Sequence, residues 1–230
     1  MRNIKVKICG LKNENDVRLC MRLGIDILGF VTGYPLPVPW NLTQAEASAL
    51  IKLIAPEQKS SIITGGTPEK VIRLACELRP SFVQLHYKET LEDTIIIANA
   101  LKKLDIGVIK TIPPVKEDRM AQFGTANVET VVKKLCKTNI FALLADSRVP
   151  DNSFKKGTSL DLEFCSQIIR LSNKPVIIAG GIHADNVCSI VRKTKAEFID
   201  IMTGVEKAPG QKDPQLLSRL LSNVRNNKTI

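Results

Sequence analysis

KPVIIAGGIHADNVCSIVRK, Lys174–Lys193, holds one complete structural unit in twenty residues. Pro175–Ala179 is a short apolar, β-branched run that suits a strand buried on both faces. Gly180-Gly181 then breaks the chain, and Ala184–Lys193 carries apolar residues at helical spacing. The same order recurs downstream, with a strand over Phe198–Met202 and a helix over Pro214–Val224. Upstream, Ile140–Ala145 pairs with Asp161–Leu171 and Ile106–Ile112 with Ala126–Cys136. Phe82–Leu85 pairs with Thr90–Lys103, and Ser60–Thr64 with Pro68–Leu78, where Thr67 is the cap and proline opens the helix. Asp26–Val31 precedes a helix from Thr43 to Ile54, and Thr43 with Glu46 makes a capping box. Ile4–Cys9 and Glu14–Leu23 complete the series.

Eight βα units in strict alternation imply a parallel sheet. Eight favours closure into a (βα)8 TIM barrel of the α/β class, with an open doubly wound sheet as the other solution. No Pro/Gly-rich linker divides the chain, so residues 1–230 read as a single domain. The 44% hydrophobic and 24% charged composition is that of a globular domain. No run approaches the roughly 18 apolar residues that cross a bilayer, and the N-terminus has no signal-peptide pattern, so no membrane partner and a cytoplasmic location are expected. The cysteines at 9, 20, 76, 136, 165 and 188 form no CxxC pair, and with only two histidines no metal site is expected. Cys20, Cys76, Cys136, Cys165 and Cys188 fall in helices and read as small buried thiols. The net charge of +10 points to an anionic partner. Its dispersal, with 4% aromatics, argues against nucleic acid.

In such a barrel, chemistry sits where strands end. Cys9 ends the first strand, where a thiol can act as a base if positive surroundings lower its pKa from about 8.5. Asp146 follows the apolar run FALLA, where a partly desolvated carboxyl can act as an acid. Gly180-Gly181 after strand seven and Thr203-Gly204-Val205 after strand eight are the two loops that bind phosphate in many barrels. A metal-free isomerase moving protons on a small anionic phosphorylated substrate fits this set, with no cofactor. His86 lines the mouth without an assigned step, and His183 reads as peripheral. Tyr34 and Trp40, in the proline-rich stretch Tyr34–Trp40, serve either to stack on a substrate or as an apolar lid.

KICGLKNENDV (Lys7–Val17), GFV (Gly29–Val31), VQLH (Val83–His86), LLADS (Leu143–Ser147), IIAGGIHADNV (Ile177–Val187) and IDIMTGVEKAPGQKD (Ile199–Asp213) run in one order along nearly the whole chain. In these segments the chain resembles the phosphoribosylanthranilate isomerase family of tryptophan biosynthesis. The resemblance implies an Amadori rearrangement with Cys9 as base and Asp146 as acid. Gly180, Gly181, Gly204 and Val205 would meet the phosphate, Gly157 and Thr158 would belong to the glycine-rich loop after strand six, and Asp200 would lie near the ribose hydroxyls. The family occurs as monomers and dimers, which leaves the oligomeric state open.

Three departures stand out. The family's loop after strand two carries an arginine that pairs with the anthranilate carboxylate, whereas Thr32–Leu42 holds neither Arg nor Lys. The loop after strand six reads Lys155-Lys156-Gly157-Thr158-Ser159, and Met202-Thr203 stands where the family has serines. These leave two further readings beside the isomerase: a divergent paralogue acting on another phosphorylated aminosugar or sugar, and a non-catalytic barrel that binds a phosphorylated ligand.

Overall fold

The computed structural model describes residues 4–146 and 160–226. Eight parallel strands close into a barrel in chain order: β1 Lys5–Ile8, β2 Ile27–Val31, β3 Lys59–Thr64, β4 Phe82–Leu85, β5 Gly107–Ile112, β6 Ala142–Asp146, β7 Val176–Ala179 and β8 Phe198–Ile201. Pairing of Lys5 with Phe198 and Lys7 with Asp200 joins β8 back to β1, which removes both sheet edges and decides for the barrel over the open sheet. Around it lie α1 Glu14–Arg22, α2 Gln44–Ile51, α3 Pro68–Leu78, α4 Leu91–Lys102, α5 Lys116–Phe123, α6 Val128–Cys136, α7 Leu162–Leu171, α8 Val187–Thr194 and α9 Pro214–Asn226. None of the helices among the described residues is long and apolar enough to cross a membrane.

Local chemistry sets the helix starts. Thr43 and Thr90 make complete capping boxes with Glu46 and Asp93, and Thr67 caps α3 ahead of Pro68. Two elements lie beyond the sequence reading. Helix α5 precedes α6 in the fifth unit, and a small antiparallel hairpin, β9 Glu206–Ala208 with β10 Gln211–Lys212, precedes α9.

The strands are buried on both faces, which explains their lack of alternation. Outward residues such as Ile8, Leu28, Val83, Leu143 and Ile199 pack into the main core with the helices. Inward residues Ile27, Ile109, Leu144, Ile177 and Phe198 fill the barrel interior. At the strand ends the interior filling changes to Cys9, Val31, Trp40 and Ile63, with Tyr34, Val38 and Met202 against them. The five helical cysteines do not share one environment. Cys20 and Cys165 are buried, Cys136 and Cys188 are half-buried, and Cys76 is exposed, because its position on α3 faces away from the barrel.

Candidate active site

Side chains alternate along a strand, so the interior cluster fixes which residues point inward. Phe198 inside puts Asp200 and Met202 inside, and Leu144 inside puts Asp146 inside. Lys7 pairs with Asp200 across the β1–β8 seam, which brings Lys7 and Cys9 to the same face. Cys9 and Asp146 therefore both enter the barrel at its C-terminal end, on strands three steps apart through β8 and β7.

Cys9 is buried in an enclosure that the sequence does not display. The backbone of β2 passes beside it at Gly29, where a Cβ would lie 3.1 Å from Cys9 Cα and 3.3 Å from its Sγ. Trp40 closes over Gly10, whose φ of +74° and missing side chain admit the indole; a Cβ there would stand 2.8 Å from Trp40 Cδ1. Below the thiol, Lys7 Nζ donates to Asp200 Oδ2 at 2.6 Å, with the lysine side chain wholly excluded from solvent. Lys212 comes in from the β9–β10 hairpin. Its Nζ donates to Cys9 O at 2.6 Å, Met202 O at 3.1 Å and Glu206 Oε1 at 2.7 Å. Glu206 Oε1 also takes the Trp40 indole N–H at 3.0 Å.

The positive surroundings are present, yet burial pushes the Cys9 thiol up; Lys7 pulls it back, Asp200 pushes it up again, and Lys212 pulls it down. Desolvation outweighs the two cations. Burial alone would lower Lys7, but the Asp200 carboxylate and Cys9 hold it above its ordinary value, so it stays an ammonium.

Across the mouth, His86 Nε2 lies 3.7 Å from Asp146 Oδ2, and Gln84 Nε2 lies 3.3 Å from His86 Nδ1. The His86 backbone is anchored from β3 and from the loop after β2: its N–H donates to Thr64 O at 3.3 Å and its carbonyl accepts from Tyr34 Oη–H at 2.8 Å. Tyr34 thus ties the loop after β2 to the end of β4, and Trp40 is largely buried beside Cys9. Both belong to the wall of the mouth. The loop after β2 has no cation of its own, but two lysines reach its backbone. Lys70 Nζ donates to Gly33 O at 2.6 Å, and Lys12 Nζ to Pro39 O at 2.7 Å.

Loops seven and eight meet closely. A Cβ on Gly204 would fall 1.9 Å from Ile182 O, so only glycine lets the turn Thr203–Val205 lie against the chain after β7. Gly180 and Gly181 both have positive φ, +106° and +62°. The helix after them begins at Val187, three residues later than the Ala184 expected from the sequence. Asn186 intervenes, donating to Gly181 O at 2.8 Å and accepting from His183 N at 2.8 Å, which shapes the turn. His183 sits in that turn at the surface. Val205 is buried, and its carbonyl accepts from Asp213 N at 2.8 Å. Asp200 Oδ1, facing the interior, has no hydrogen-bond partner among the described residues. Gly157 and Thr158 lie outside the described residues.

The chain matches the family model described as N-(5'phosphoribosyl)anthranilate (PRA) isomerase over residues 6–223. It belongs to the phosphoribosylanthranilate isomerase family. The family's curated N-(5'-phosphoribosyl)anthranilate isomerase from Methanosarcina acetivorans is 27% identical over 226 residues, covering 96% of this chain and 93% of the relative. The crystal structure of the family member from Thermus thermophilus superposes with a TM-score of 0.76 at 26% identity, covering 98% and 100% of the two chains. A family member in complex with reduced 1-(o-carboxyphenylamino)-1-deoxyribulose 5-phosphate shares the fold at a TM-score of 0.75 and 23% identity, over 97% and 99%.

Sequence reasoning named Cys9, Asp146 and both glycine loops, which the fold brings to one end of the barrel, and did not single out Lys7, Lys212, Gln84 or Gly29. Lys7 stood in view, with Lys5, as the polar alternation of KVKI. The fixed two-residue spacing of Gln84 and His86 was likewise available.

Proposed function

We propose that this protein isomerises N-(5'-phosphoribosyl)anthranilate to 1-(o-carboxyphenylamino)-1-deoxyribulose 5-phosphate in tryptophan biosynthesis, in the cytoplasm. The observation that carries the reading, beside family membership, is the entry of Cys9 and Asp146 into one barrel mouth whose rim contains the two close-packed glycine loops. The phosphate would lie against the backbone of Gly180, Gly181, Gly204 and Val205, with Gly157 and Thr158 from the loop after β6. The substrate's sugar hydroxyls would take Asp200 Oδ1. The relative that holds the reduced product analogue supports a ligand of this class.

In this reading the Asp146 carboxyl gives its proton to the furanose oxygen. The C1–O bond breaks and the nitrogen lone pair forms the Schiff base. The Cys9 thiolate then takes the C2 proton, the C–H electrons form the C1–C2 double bond, and the imine electrons return to nitrogen. The enolamine collapses to the aminoketose as C1 gains a proton and the C2 hydroxyl loses one. No metal or redox partner enters the balance.

Steady-state turnover of freshly prepared substrate tests the proposal. Cys9→Ala and Asp146→Asn should each lower kcat by about 10²–10⁴. Turnover of the unaltered protein no higher than that of Cys9→Ala would overturn it. The apolar, arginine-free loop after β2 favours one second reading, an isomerase for a phosphorylated aminosugar with a different N-substituent. Rescue of a tryptophan auxotroph lacking the isomerase would argue against that reading.

A further inference from the structure

We propose that Gln84 is a positioning residue: it fixes His86 as the Nε2–H tautomer facing Asp146, so that the ring supports the carboxylate formed when Asp146 gives up its proton. The inference rests on the reading of Asp146 as the acid and adds the residues that prepare it.

Gln84 and His86 are two residues apart at the end of β4, so both project into the barrel. Gln84 is almost fully buried, and its Nε2 lies 3.3 Å from His86 Nδ1. An amide nitrogen only donates. With the amide nitrogen turned to the ring, and its oxygen without a hydrogen-bond partner among the described residues, Nδ1 accepts and the single proton of a neutral ring resides on Nε2. That nitrogen faces Asp146 Oδ2 at 3.7 Å, within ion-pair range and longer than a hydrogen bond. Such contacts tighten when a substrate closes the site. The histidine cannot drift as a unit, because its backbone is held to Thr64 and Tyr34.

The chemical consequence follows from charge. When the Asp146 O–H bond breaks and its proton bonds to the substrate's ring oxygen, a negative charge is left in a site 3% exposed. An N–H donor facing that carboxylate stabilises it as the contact tightens, whereas a bare Nε2 would oppose it with a lone pair.

The chain has two histidines, so long-range proton–nitrogen NMR of the full protein near pH 8 resolves the ring directly, with His183→Gln assigning the second. The expected result is a protonated Nε2 and an unprotonated Nδ1 on His86. Gln84→Met should release the ring to a mixture of tautomers and lower kcat about ten- to hundredfold, with KM changed less than about threefold. Gln84→Glu, whose carboxylate accepts, should put a proton on Nδ1 even if the Met variant folds poorly. Any other protonation state of His86 in the unaltered protein would overturn the proposal. So would a tautomer that ignores both substitutions, or a released tautomer with unchanged kcat. If Asp146→Asn is inactive while His86 carries its proton on Nδ1, this inference falls and the acid assignment stands. Full turnover in Asp146→Asn would remove the acid assignment itself.

Discussion

Two buried lysine–carboxylate pairs lie on opposite faces of the same sheet. Lys7 points into the barrel and meets Asp200 at 2.6 Å. Lys110 points outward from β5 and meets Glu89 at 3.1 Å and Gln122 Oε1 at 3.1 Å, with the Phe123 ring 5.7 Å from its ammonium. Both lysine side chains are fully excluded from solvent. Their proton affinities nonetheless move in opposite directions. Burial lowers Lys110, and Glu89 restores only part of the loss. Burial also acts on Lys7, but Asp200 and Cys9 together raise it. The outer pair is a staple: Glu89 also accepts from Gly66 N and Tyr87 N, and Gln122 brings in α5, so two loops and a helix are tied to β5. The inner pair places a persistent positive charge beside the thiol. A buried ion pair is weak evidence for stability by itself. Its neighbours decide what it does.

Lys7→Met breaks the comparison most severely. Without the ammonium, nothing of similar strength offsets the burial of the Cys9 thiol, and kcat/KM should fall at least about a hundredfold. The sign of the pH effect is fixed. In the proposed role of base Cys9 works only when deprotonated, and burial raises its pKa, so kcat/KM should climb from neutral into mildly alkaline pH. Lys7 pulls the thiol down, so its removal should move that limb to still higher pH, as a pH–rate profile would record. The stranded Asp200 carboxylate should cost about 3–5 kcal/mol in urea unfolding. Adding Asp200→Asn should recover much of that stability without restoring turnover. An unmoved limb in Lys7→Met would remove the distinction between the two pairs.

Gly29→Ala reaches the thiol without touching either lysine. Gly29 has no positive φ, so alanine is unstrained there and the effect is one of space alone. The new methyl would press on Cys9 Cα and Sγ, and the β1 backbone can yield only slightly. We expect kcat to drop about tenfold and stability by about 1–3 kcal/mol. A pH limb left in place would separate crowding of the thiol from loss of its counter-charge.

What the sequence reveals follows the same inside–outside division. The eight strands and most helices were legible because their signals are local: apolar runs, and Thr43, Thr67 and Thr90 as caps. Helix α5 was missed because Val115 precedes it with no side-chain cap and it spans only eight residues after two prolines. Cys9, Asp146 and the glycine loops could be named because each stands where a strand gives way to a loop. Lys7 with Asp200 and Gly29 beside Cys9 depend on strand neighbours across the barrel. The Lys7–Asp200 contact joins residues 193 positions apart. Whether the cations around Cys9 outweigh its burial could not be read from the sequence, because charges can be counted there and desolvation cannot.

Lys110→Met should produce the smallest change in turnover and thereby define the outer pair. It strands Glu89, whose backbone donors from Gly66 and Tyr87 remain, and it loosens Gln122 and α5 from the sheet. Unfolding by urea should register a loss of about 3–5 kcal/mol. The folded fraction should keep kcat/KM within about threefold, with its pH limb unchanged, because Lys110 lies on the far side of β5 from the mouth. Glu89→Gln added to Lys110→Met should regain part of the stability, since it removes the unpaired charge and keeps one acceptor. Were Lys110→Met to depress turnover as deeply as Lys7→Met, the outer network would have to act on the mouth through Tyr87. Tyr87 packs edge-on against Tyr34 with ring centres 6.2 Å apart, and Tyr34 holds the His86 carbonyl. A Tyr34→Phe variant would separate these outcomes, because it cuts that route at a single hydroxyl and leaves both lysine pairs intact.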